Sequence, residues 1–177
     1  MKATEDKFRI GAEVHAWVEQ HAGDGLVLEL GGGNGSPHLH AVVKNCITIE
    51  SEPTWADMLD ERGVRYLYAP LVDGWYELTE ELTELLRTAD IVIIDGPVGS
   101  LRPNCEQHLH HMKPGCYVLF DDTHRNHNLD IVRRCYDDGW LMVHRLTCPF
   151  GRHTHILQTP TQHAPPTNEG HPHPMEA

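Results

Sequence analysis

The stretch Leu28-Glu29-Leu30-Gly31-Gly32-Gly33-Asn34-Gly35, followed by Ser36-Pro37, decides the fold. Its apolar start, Leu26 to Leu30, reads as a short buried strand that the glycines end abruptly. Ser36 is a good helix cap and Pro37 suits the first helical position. A helix is therefore expected, with Leu39, Val42 and Val43 facing inward. Glycines at such a turn let the backbone bend sharply and approach a ligand closely, while the free N–H groups of the next helix attract an anionic group.

Outward from this turn, runs rich in Val, Ile and Leu alternate with amphipathic stretches, the pattern of a mainly parallel sheet with helices on both faces. Upstream, Glu5 to His21 is expected to be a helix with Phe8, Ile10, Val14, Trp17 and Val18 on its apolar side. Downstream, the strands are Cys46 to Glu50, Val64 to Ala69, Ile91 to Ile94 and Tyr117 to Phe120. Helices are expected over Pro53 to Glu61, Glu77 to Thr88, Pro103 to Met112 and Leu129 to Asp138, with stops at Gly63 and Gly139. Trp140 to Thr147 and His153 to Gln158, split by Pro149-Phe150-Gly151, form a hairpin. The expected class is α/β: a doubly wound, Rossmann-like, seven-stranded sheet closing on a C-terminal antiparallel hairpin, in three α/β/α layers. Residues 1–158 are expected to form this domain, and 159–177, rich in Pro and His, to be a disordered tail.

Composition narrows the function. The 177 residues carry 14 Lys plus Arg against 26 Asp plus Glu, a formal charge of -12 that repels phosphate backbones and anionic lipid. Nucleic acid and membrane are therefore expected not to be partners. No apolar run approaches the roughly 20 residues of a membrane span, and MKATEDKFRI lacks the apolar core of a secretory signal, so a cytoplasmic location is expected. Cys46, Cys105, Cys116, Cys135 and Cys148 are spread without a C-x-x-C pair and are expected to be reduced. Cys105, His108 and His111 are spaced for one helix face, but no second ligand pair completes a zinc site.

Glycine-rich turns of this kind also serve nicotinamide dinucleotides. The pattern Glu29-x-Gly31-x-Gly33-x-Gly35, however, resembles motif I of the class I S-adenosylmethionine-dependent methyltransferases. That resemblance covers roughly Lys7 to Gln158. It implies that Glu29 lies near the amino end of the methionine moiety and that Gly31, Gly33, Asn34 and Gly35 pack beneath the cofactor. Ile47-Thr48-Ile49-Glu50 ends a strand on an acid about 20 residues beyond the turn, where a carboxylate can accept from both ribose hydroxyls. Glu50, with Ser51 beside it, is the ribose candidate, and Glu52 is its alternative. For the adenine-contacting segment the chain offers Ala69-Pro70-Leu71-Val72-Asp73, so Asp73 or a backbone group must serve.

Acids also end the fourth and fifth strands, in Asp95-Gly96-Pro97 and in Asp121-Asp122-Thr123-His124-Arg125. Asp95, Asp121 and Asp122 can together hold a hard ion such as Mg²⁺. This arrangement resembles the metal-dependent small-molecule and sugar O-methyltransferases, in which matching acids bind the ion. No lysine follows Asp95 where catechol-type enzymes carry their base. His124 is the alternative base, since imidazole titrates near neutral pH, and Arg125 or Arg102 can hold an acidic substrate by a forked contact.

The expected activity is therefore S-adenosylmethionine-dependent methyl transfer to a hydroxyl of a small molecule or sugar, with Asp95, His124 and Arg125 at the reacting centre. Asp95 also borders the cofactor. A minimal chain leaves the acceptor site shallow, and a homodimer is one way to complete it. A protein that binds the nucleoside without transferring anything is one rival; an aminopropyl transferase and a nicotinamide oxidoreductase are the others.

Overall fold

Ile91–Ile94 (β6), an unbroken apolar run, occupies the centre of the sheet, where both faces of every residue are covered. The computed structural model describes residues 11–148 and 151–161. The expected segment Glu5 to Ile10, the Pro149-Phe150 connection and the tail from residue 162 lie outside the described residues.

In chain order the elements are α1 (Ala12–Ala22), β1 (Val27–Leu30), α2 (Ser36–Val42), β2 (Cys46–Glu50), α3 (Pro53–Glu61) and β3 (Tyr66–Tyr68). There follow β4 (Leu71–Val72), β5 (Trp75–Tyr76), α4 (Glu80–Thr88), β6 and a 3-10 helix over Arg102–His111. The chain then forms β7 (Tyr117–Phe120), α5 (Asn126–Asp137), β8 (Leu141–Cys148) and β9 (Arg152–Gln158). Seven strands make one sheet in the order β3-β2-β1-β6-β7-β9-β8, and β9 alone runs against its neighbours. This is the expected doubly wound sheet with its C-terminal hairpin.

Alternation along the strands divides the core in two. Leu28, Leu30, Val92, Ile94, Val118 and Phe120 point to the face covered by α4, the 3-10 helix and α5. Val27, Ile91, Ile93, Leu119 and Ile156 point to the opposite face, where Val14, Trp17 and Val18 of α1 and Leu39 of α2 pack. Each such Leu or Ile contributes roughly 1.5–3 kcal/mol by leaving water. α4 starts where Thr79 accepts from the Leu82 N–H, and Glu80 and Glu81 suit the positive end of its dipole. All five cysteines are buried and free.

The helix expected over Pro103 to Met112 is of 3-10 type and spans Arg102–His111. Three local expectations need correction. Ser36 lies inside α2 rather than capping it: its Oγ accepts from the Gly33 N–H, and Gly35 holds the cap position. Val42 faces solvent, while Val43 is buried. Residues 71–76 form the small hairpin β4–β5, which delays α4 to Glu80. Its turn residues Asp73 and Gly74 both have positive φ. The stops at Gly63 and Gly139 hold, each glycine having positive φ.

Candidate active site

β1 pairs with β2 on one side and with β6 on the other, so the direction of winding reverses between β1 and β6. In a doubly wound sheet, ligands bind in the crevice that this reversal opens at the carboxyl ends of the strands. A cavity of about 480 Å³ lies there. Gly31, Gly32 and Gly33 from the turn after β1, Glu50, Ser51 and Glu52 after β2, and Asp95, Gly96 and Pro97 after β6 line it. Trp55, Leu71, Tyr76, Val98, Gly99, Arg102, Asp122, Arg125 and Arg152 complete the wall. A second cavity of about 600 Å³, lined by residues such as Pro114 and Trp140, lies at the other end of the sheet, where β7 and β8 begin.

Glu50 joins two of these loops. Its Oε2 accepts from the Gly32 N–H at 2.8 Å, and its Oε1 accepts from the Ser51 and Glu52 N–H groups, each at 2.6 Å. Burial nevertheless raises its affinity for a proton. The carboxylate is thus held in one orientation at the cavity wall, with three of its roughly four lone-pair sites engaged and one left on Oε2 for a hydroxyl donor.

Glu29 takes a different position from its neighbours. It is 1% exposed, does not line the cavity, and accepts from the Thr48 hydroxyl at 2.7 Å. Burial pushes its carboxyl up to about 7, against the opposing pull of that hydrogen bond. Thr48 also meets His40 Nε2 at 2.9 Å, so the three side chains form a polar strut beneath the turn. Asn34 and Gly35 follow the cavity-lining glycines and do not reach it. Asp73 is exposed in the β4–β5 turn, outside the wall, while Leu71 of the same hairpin contributes to it.

At the ends of β6 and β7, one oxygen each from Asp95, Asp121 and Asp122 lies within 4.8 Å of the others. No cysteine–histidine group among the described residues does the same. Arg102 Nη2 donates to Asp95 Oδ1 at 2.9 Å, and Nη1 donates to Asp122 Oδ2 at 3.2 Å. Arg125 Nη2 also reaches Asp122 Oδ2 at 3.2 Å. Asp121 Oδ1 accepts from the Thr154 hydroxyl at 2.6 Å, and Asp121 does not line the cavity. Burial and the Asp121 charge hold the Asp95 carboxyl well above the usual carboxylate range, with Arg102 pulling the other way. His124 is exposed and outside the cavity wall; its Nδ1 stands 3.8 Å from the otherwise unpartnered Asp122 Oδ1.

The structure therefore brings Gly31, Gly33, Glu50, Ser51, Asp95, Asp122 and Arg125 to one cavity. It leaves Glu29, Asn34, Gly35, Asp73, Asp121 and His124 behind or beside it. The sequence reading did not foresee the buried role of Arg102. For Arg102 a signal existed: three carboxylates packed at adjacent strand ends require a counter-charge when water is excluded.

Solved structures share this architecture. Precorrin-6y C5,15-methyltransferase from Geobacter metallireducens matches with a TM-score of 0.60 at 17% identity, over 89% of this chain and 93% of that one. The O-methyltransferase TomG from Streptomyces achromogenes, solved in complex with SAM, matches at 0.56 and 19% identity, over 87% and 83%. The O-methyltransferase from Bacillus cereus, solved in complex with SAH, matches at 0.58 and 14% identity, over 88% and 84%. Neither a protein-family model nor a curated protein matches the sequence. The chain has the Rossmann-like α/β fold of these methyltransferases.

Proposed function

We propose that this chain is an S-adenosylmethionine-dependent methyltransferase acting on a hydroxyl of a small molecule or sugar. The observation that carries the reading is the Glu50 carboxylate bound to the Gly32 N–H beside the cavity. One rigid unit thereby offers glycine backbone to the amino-acid end of the cofactor and an acceptor to its ribose. The -12 charge favours a donor that carries a sulfonium and an ammonium group, and disfavours nucleic acid as acceptor.

In the proposed reaction the acceptor oxygen attacks the sulfonium methyl carbon and the C–S bond breaks. S-adenosylhomocysteine leaves and the hydroxyl proton passes to a base. The carbon is already activated, so the protein's main task is alignment, which can contribute as much as ~7–11 kcal/mol. Glu50 and Ser51 hold the sugar, Asp95 closes the opposite wall, and Arg125 borders the acceptor's entrance. Trp55 and Leu71 offer apolar surface for adenine.

One oxygen each from Asp95, Asp121 and Asp122 lies close enough to the others to meet Mg²⁺, which the resemblance implies. The misfit is one of charge: Arg102 engages one oxygen each of Asp95 and Asp122, Arg125 also pairs with Asp122, and the two guanidiniums offset most of the charge that would draw an ion. No step is assigned to a metal.

Calorimetry tests the reading. S-adenosylmethionine and S-adenosylhomocysteine are expected to bind, and NAD is not. Preference for NAD would end the methyl-transfer reading, and preference for decarboxylated S-adenosylmethionine would redirect it to aminopropyl transfer.

A further inference from the structure

Arg102 is 7% exposed, and among the described residues it is tied to four groups at once. Besides Asp95 and Asp122, its Nη1 donates to the main-chain oxygen of Asp121 at 3.3 Å and its Nε to that of Pro97 at 3.3 Å. Four of the guanidinium's five donors are thereby engaged, leaving one on Nη2 for an oxygen of whatever fills the cavity.

Mg²⁺ demands oxygen ligands at about 2.0–2.1 Å in near-ideal octahedral geometry. Asp95 and Asp122 instead close on nitrogen donors at 2.9 and 3.2 Å. Each carboxylate keeps a second oxygen, and Asp122 Oδ1 has no hydrogen-bond partner. The guanidiniums of Arg102 and Arg125, however, already set two positive charges against the three acids, so a dication would enter a site whose charge is largely offset unless a guanidinium leaves. Leaving would strand a buried cation and is costly.

We propose that Arg102 is the permanent cation of this site, holding Asp95 and Asp122 together so that the chain works without a divalent ion. The inference rests on the methyl-transfer reading only for the purpose the cation serves. Binding the two strand ends to one planar group fixes the floor of the cavity and replaces an exchangeable ion by a covalent part of the chain.

Mn²⁺, followed by electron paramagnetic resonance in the presence of the full chain, is the probe. The free-ion signal is expected to stay unchanged with the wild type. Arg102→Met, checked for folding by circular dichroism, is expected to take up one Mn²⁺ per chain that excess Mg²⁺ displaces. Wild-type uptake of one Mn²⁺ per chain, abolished in Asp122→Asn, would overturn the proposal. A folded Arg102→Met that takes up none would overturn it as well. The wild-type titration decides even where Arg102→Met does not fold. S-adenosylmethionine calorimetry on the same sample separates the two ideas: absence of heat counts against methyl transfer, whereas Mn²⁺ uptake alone judges the role of Arg102.

Discussion

Gly31 and Gly96 pass so closely that a Cβ on Gly31 would lie 2.3 Å from the Gly96 amide nitrogen and 2.5 Å from its Cα. The contact holds the end of β1 against the end of β6, and Gly31 itself has φ +105°. Gly31→Ala is therefore expected to cost about 1–3 kcal/mol from backbone strain alone, with the clash in addition. A lowered urea midpoint and loss of S-adenosylmethionine heat are the expected results; wild-type affinity in the variant would refute this account of the turn.

Glu50→Ala removes the acceptor for three backbone N–H groups and, on the proposed function, for the ribose. Loss of hydrogen bonds to a charged group of about 1.5–3 kcal/mol corresponds to affinity falling about 10- to 100-fold, which calorimetry reads directly. Thr79→Ala serves as control: removing the cap of α4 is expected to cost about 1 kcal/mol of stability and to leave affinity unchanged.

The Glu29 carboxyl is raised by burial to about 7 from an ordinary 4.5. The folded state thus binds its proton more tightly than the unfolded chain does. The stability this contributes is complete below 4.5 and is lost as pH rises through 7. A shift of this size corresponds to about 3 kcal/mol. Glu29→Gln keeps the shape without the ionisation and is expected to flatten the fall in Tm between these two pH values. An equally steep profile in the variant would assign the fall to another group.

Asp122 combines positive φ of 54° with bonds to both Arg102 and Arg125. Asp122→Ala leaves a buried guanidinium with one carboxylate partner and is expected to cost about 3–5 kcal/mol. Asp122→Asn, which tolerates the left-handed backbone, is expected to lose less. Urea titration orders the two, and equal stabilities would show that the left-handed backbone is irrelevant there.

The strands of the sheet were legible because each central strand is a short apolar run with punctuation on either side: Cys46 to Glu50 and Ile91 to Ile94 were placed to the residue. Glu50 and Asp95 were legible by their position at strand ends. Arg102 was not, because its partners lie up to 20 residues away and burial of a charge is a tertiary event. The Gly31–Gly96 contact was hidden likewise: it depends on two strands far apart in sequence becoming neighbours, Val27 of one pairing with Ile91 of the other. Val42 illustrates local propensity yielding to tertiary packing.

Burial keeps the five thiols protonated; those of Cys116 and Cys135 are pushed up to about 12. Since the thiolate is the reactive form, the native protein should ignore maleimide dyes. Val98, on the cavity rim and 72% exposed, then becomes a place to install a single addressable sulfur without first stripping the background. A fluorophore there would watch the crevice fill in real time.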